Sequence, residues 1–160
     1  MSEPEGNEGS NQIYVACFVC ENAIENKDGG FYSAINIFDK FEVDVPEGAE
    51  VPESLKTKAA YCVSLFRSLS KPIDFTVRWR VIFPGGKTVE SPPQQMVIKE
   101  DATGHTSVFP FQLLANLAGL YLIQVLVDDR VAAFSPLLIE HVSVKPTSPD
   151  EDDRGDPDQT

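Results

Sequence analysis

"IDFTVRWRVIF", residues 73 to 83, decides the fold of this chain. Phe75, Val77, Trp79, Val81 and Phe83 alternate with Asp74, Thr76, Arg78 and Arg80. A repeat of two puts all five apolar side chains on one face of a strand, whereas a helix would scatter them around its circumference. One face is core and the other meets water. Pro84-Gly85-Gly86-Lys87 follows, a turn with two residues free to take positive φ.

Working outward, the chain repeats this pattern of short apolar runs and turn chemistry. Ile13 to Ile24 is one run, Asp28-Gly29-Gly30 a turn, and Phe31 to Val43 the next run, so the three together predict a hairpin. Prolines and acids from Asp44 to Lys58 predict a long surface loop, and strand character resumes from Ala59 to Arg67. Pro92-Pro93 precedes an edge or bulged strand at Gln94 to Glu100, and Pro110 marks the run Gly104 to Phe111 as another edge. Leu113 to Leu117 has room for one helical turn, too short to be a stable helix by itself. Gly119 to Asp128 is apolar at both parities, as expected of a strand buried on both faces in mid-sheet. Asp128-Asp129-Arg130 is a tight turn, and Val131 to Val144 supplies the last strand or two, broken at Pro136. Seven to nine short strands and no amphipathic helix of useful length predict an all-β chain: an antiparallel, immunoglobulin-like β-sandwich, with a closed barrel as the alternative.

The chain has 160 residues and a formal charge of −12, unevenly placed. Residues 1–12 carry Glu3, Glu5 and Glu8 and no base; residues 147–160 carry six acids and Arg154. Neither end has apolar residues that would offset the entropy of ordering, so both are expected to be disordered tails around one domain at 13–146. That domain is only mildly acidic. It has no clustered Lys/Arg face, which argues against nucleic acid and against anionic lipid. The N-terminus has no basic and apolar leader pattern, and no apolar run approaches about 18 residues. With three cysteines, an odd number, the expectation is a cytoplasmic protein in a reducing compartment.

Cys17-Phe18-Val19-Cys20 has the spacing of a redox or metal motif. In a strand, residues three apart point to opposite faces with Cα atoms about 10 Å apart, so these thiols can neither share a metal ion nor bridge. No second CxxC or HxxxH completes a zinc site, and Cys62 stands alone in its strand; small buried apolar residues are the reading. His105 and His141 lie 36 positions apart without a nucleophile elbow or a spaced carboxylate, so no catalytic constellation is expected. The acids Glu42, Asp44, Glu47, Glu50 and Glu53 fit no calcium-loop spacing. Arg154-Gly155-Asp156 is read as a coincidence within an acidic tail.

Gly119-x-Tyr121 looks like a tyrosine corner, in which the phenol bonds backbone upstream and pins a crossover. Trp79 is then the large core aromatic of an earlier strand. Arg78 and Arg80 sit on the wet face of theirs, about 7 Å apart. Paired with acids of the next strand they are solvated surface; unpaired, they form a recognition strip for a carboxylate or an acidic partner.

Cys20-Glu21-Asn22-Ala23-Ile24, Gly30 and Ser33-Ala34-Ile35-Asn36-Ile37-Phe38-Asp39 resemble the opening of a family of small uncharacterised bacterial and phage proteins. Phe75 to Val81 with Pro84-Gly85-Gly86, and Gly119-x-Tyr121 with Val127-Asp128, are similar to that family in order and spacing, over roughly residues 13 to 144. The resemblance implies a β-sandwich with Gly29, Gly30, Trp79, Gly119 and Tyr121 as structural positions, and no activity. Three functional readings follow: a non-enzymatic interaction module with an unknown protein partner, using Arg78 and Arg80; a small-ligand or metal module whose residues (His105, His141, Cys17, Cys62) converge only in three dimensions; or an assembly component using a free sheet edge. No cofactor is expected for the first.

Overall fold

The computed structural model describes residues 12–25 and 32–145. The Asp28-Gly29-Gly30 turn, the Arg154-Gly155-Asp156 triplet and nearly all of both acidic ends lie outside the described residues.

Two sheets face each other. The first holds β1 (Ile13–Glu25), β2 (Tyr32–Ile37), β4 (Ala60–Ser68) and β8 (His105–Phe111) in the order β2-β1-β4-β8. The second holds β3 (Lys40–Pro46), β5 (Ile73–Ile82), β6 (Thr88–Glu90), β9 (Gly119–Val127) and β10 (Arg130–Val144) in the order β3-β10-β9-β5-β6, with β7 (Gln94–Ile98) also paired to β5. The chain is therefore an all-β sandwich, antiparallel except where β10 and β3 pair parallel. Ten strands are described, one more than the upper expectation.

The core lies where the alternation of β5 puts it. Phe75, Val77 and Trp79 are buried, against Phe66, Cys62 and Val19 of the first sheet and Tyr121, Ile123, Leu137 and Ile139 of the second. Trp79 stacks flat on Phe109, ring centres 4.8 Å apart, and its indole N–H donates to Ser64 Oγ at 3.3 Å. That bond satisfies the ring's one polar group inside the core.

Three expectations need correction. The run Phe31 to Val43 is two strands in different sheets: after Ile37 the chain bends at Phe38-Asp39, leaves β1 and joins β10. Asn36, at φ +52, sits just before the break. Val131 to Val144 is one continuous strand despite Pro136. Leu138 N–H points to Asp39, on the β3 side. Pro136, two residues earlier, turns its nitrogen the same way, but β3 pairing begins only at Leu138, so no ladder bond is lost. Leu113 to Leu117 forms no helix; Leu114 makes an isolated bridge to Lys56, and Thr57 and Leu113 bond backbone to backbone.

β9 is central, between β10 and β5, yet its buried face is Tyr121, Ile123 and Val125, while Leu120 on the other face is 60% exposed. Leu126, on the same face as Leu120, is only 2% exposed, so burial on both faces holds toward the end of β9 and fails at its start. Pro110 lies in β8, which pairs only with β4 at the edge of its sheet. Gly85 and Gly86 take φ of +89° and +88° in the β5–β6 hairpin, the left-handed region that side chains avoid.

Candidate functional site

Arg78 and Arg80 lie on the outward face of β5, where the alternation places them. Arg80 Nε meets Glu90 Oε1 at 2.6 Å, directly across in the β5–β6 register. Arg78 reaches Glu90 Oε2 at 3.5 Å and Asp129 Oδ1 at 2.6 Å. Arg80 Nη1 also donates to Gln124 on β9 at 3.4 Å. Both side chains are about a third exposed, at 32% and 30%. The guanidinium of Arg80, assisted by Arg78, holds the Glu90 carboxyl below its ordinary range. Acids of this chain already occupy the two arginines.

Of the expected structural positions, Gly29 and Gly30 lie outside the described residues, and Gly119 and Tyr121 have the following surroundings. Gly119 opens β9 at φ +134, and an added Cβ would lie 3.2 Å from Pro84. The Tyr121 hydroxyl reaches two upstream carbonyls, of Leu114 and Leu117. That pins the connection leading into β9.

The cysteines divide between sheet faces. Cys17 is opposite Ser64 and Val19 opposite Cys62, so Cys17 and Cys62 are diagonal neighbours on the inner face; Cys20, opposite Tyr61, points the other way. Cys62 is thus not isolated: its contact with the Cys17 thiol, and then burial, holds it far above an ordinary thiol, while that contact lowers Cys17. Burial raises Cys20. All three are free thiols.

His105 is on β8 beside the Phe66 ring, with its pKa lowered by burial. His141 is on β10, its Nε2–H donating to the Ala115 carbonyl at 2.6 Å. Of the four residues that could have converged, the structure brings together the two cysteines; the histidines stand on different sheets with separate partners. Among the described residues no three His, Cys, Asp or Glu side chains cluster as metal ligands. Nor is any described helix long and apolar enough to cross a membrane.

Sequence reasoning passed over a different surface. β1 leaves β4 after the Cys20–Tyr61 pair, and from Asn22 to Glu25 it pairs only with β2. The result is a two-stranded ribbon at the edge of the first sheet. Register puts Ile24, Ile35 and Ile37 on one face of it, and they are 51%, 39% and 62% exposed. The outer edge of β2 has no strand neighbour among the described residues. The signal was present in Ile35-Asn36-Ile37, an apolar alternation inside the run Phe31 to Val43 that was read simply as part of a hairpin.

No protein-family model and no curated protein matches this chain. Among solved structures it is similar to the alkylpurine DNA glycosylase AlkC of Pseudomonas fluorescens bound to DNA containing an abasic site analog. That match has 8% identity and a TM-score of 0.47, over 81% of this chain and 31% of that one. The chain thus spans under a third of the glycosylase's length. An immunoglobulin-like protein of Pseudomonas aeruginosa is similar at 12% identity and a TM-score of 0.37, covering 82% of this chain and 99% of that one. No role is transferred from either.

Proposed function

We propose that this protein is a non-enzymatic interaction module that captures an extended segment of a protein partner along the edge of β2. The observation that carries this reading is the ribbon: a β2 edge with no strand neighbour among the described residues, beside three exposed isoleucines, in a chain of formal charge −12. Natural sheets blunt free edges with charge, proline or cover, because unpaired N–H and C=O groups recruit strands from other chains. β2, Tyr-Ser-Ala-Ile-Asn-Ile, has neither charge nor proline. Main-chain pairing would supply affinity and the isoleucines selectivity.

Glu90 and Lys40 are engaged in ion pairs, and Cys62 is buried against Cys17. The Arg78–Arg80 strip is the second candidate surface, favoured by its two partly exposed guanidiniums, although Glu90 and Asp129 compete for any incoming carboxylate. A cytoplasmic home is supported by the three free thiols, and origin in an uncharacterised bacterial or phage family by the motif resemblance.

Pull-down from a bacterial lysate tests the assignment, comparing wild type with Ile35→Lys/Ile37→Lys and with Arg78→Glu/Arg80→Glu. Loss of partners in the isoleucine variant alone, at unchanged melting temperature, supports the β2 edge. Identical partner lists in both proteins would remove it.

A further inference from the structure

The ribbon has a second face, and it covers a cleft. Tyr32 and Ala34 pair with Glu25 and Ala23, beyond the end of β4, yet they line one hollow of about 250 Å³ with Phe18, Val63, Leu65 and Arg67. Thr103, Gly104 and Thr106 complete its wall. Their shared hollow is consistent with a twisted ribbon that leans toward the outer face of the first sheet. Two-stranded ribbons carry the largest twist, which makes such a lean accessible. Phe18, Val63 and Leu65 then form an apolar floor, and Tyr32 and Ala34 a roof.

Arg67 supplies a single cation to this space, and its placement is specific. Its Nη1 donates to the Phe66 carbonyl at 2.9 Å. A Cβ on Gly104 would fall 2.2 Å from that Nη1, 2.3 Å from the Phe66 oxygen and 2.6 Å from Arg67 Cδ. Gly104 has no positive φ, so the glycine answers a close approach: its bare backbone lets the arginine lie across the start of β8. In contrast to Arg78 and Arg80, Arg67 has no carboxylate partner among the described residues. A guanidinium fixed by one donor keeps others for a planar acceptor, and Thr103 and Thr106 line the same wall.

We propose that the cleft between the β1–β2 ribbon and the first sheet binds a monocarboxylate with a compact apolar body, its carboxylate on Arg67 and its body over Phe18, Val63 and Leu65. At interior packing density the space holds about ten non-hydrogen atoms. That chemistry occurs in a medium-chain aliphatic acid and in the apolar C-terminal residue of a peptide. The site uses a face of β2 rather than its edge, and its test does not require the proposed protein partner.

Calorimetric titration of the full chain with octanoate, octanamide and N-acetyl-leucine tests the proposal, with wild type, Arg67→Gln and Ala34→Leu. The expected result is saturable 1:1 binding of at least one of the two acids, with octanamide weaker than octanoate if octanoate is the one bound. Affinity for the bound acid falls at least tenfold in Arg67→Gln, and Ala34→Leu, which fills the roof, weakens it without lowering the melting temperature. The tighter acid identifies the source. Absence of saturable binding by both acids, or binding that Arg67→Gln leaves unchanged, would overturn the proposal.

Discussion

The hydroxyl of Tyr121 lies 2.9 Å from the carbonyl oxygen of Leu117 and 3.0 Å from that of Leu114, although its ring is fully buried. One phenolic proton thereby ties the irregular segment after β8 to the central strand of the second sheet. Tyr121→Phe keeps the ring and removes the donor. The expected loss is about 1–2 kcal/mol, read as a shift of the denaturation midpoint at unchanged slope. A variant as stable as wild type would show that the bond contributes nothing.

Ser64 plays a similar role for Trp79. Its hydroxyl accepts the indole N–H inside the core, so Ser64→Ala leaves that donor buried and unpaired, at a cost of about 1–3 kcal/mol. Trp79→Ala loses the stacked contact with Phe109 as well and is expected to cost about 3–5 kcal/mol. Chemical denaturation of both variants measures the order.

Glu90 links β6 to two arginines, and its carboxyl pKa lies below the unfolded value. A depressed carboxylate contributes stability above its unfolded pKa and loses it as pH falls toward the folded value. Wild type is therefore expected to lose stability through the acid range more steeply than Glu90→Gln, with the two curves converging at low pH. Melting temperatures across that range provide the check; parallel curves would contradict the assignment.

The three thiols should differ in reactivity. Cys20 and Cys62 are fully buried and their pKa values are raised, so an aromatic disulfide reagent at mildly alkaline pH should modify neither in the native protein. Cys17, half-buried and with a lowered pKa, should react first, and all three should react in denaturant. Rapid native modification of Cys62 would mean that the inner face of β4 opens.

The legible part of the fold was the part governed by period-two alternation and by turns that demand positive φ. Phe75 to Phe83 announced β5 and its buried face, and Gly85-Gly86 announced the hairpin after it. Strand partners were not legible: Phe31 to Val43 looks like one strand because nothing local distinguishes a strand that continues from one that changes sheets. The missed surfaces have the same cause. Arg78 and Arg80 were conspicuous as charges on a wet face, but Glu90 and Asp129 become their neighbours only through pairing. Arg67 was unremarkable until Gly104, distant in sequence, came to lie beneath it. Ile35 and Ile37 resemble core positions, and only the ribbon's departure from the sheet exposes them.

Hydrogen–deuterium exchange on the protein alone and on the complex eluted from the pull-down tests the proposed β2 interface most directly. Alternate amides of β2 bond β1 and the others face the edge, so the edge-facing amides of Ile35 and Ile37 should be poorly protected in the free chain. The account predicts strong new protection confined to those residues and the adjoining end of β1 when the partner is bound. Unchanged exchange at β2, with protection appearing instead on β5 and β6 around Arg78 and Arg80, would contradict it.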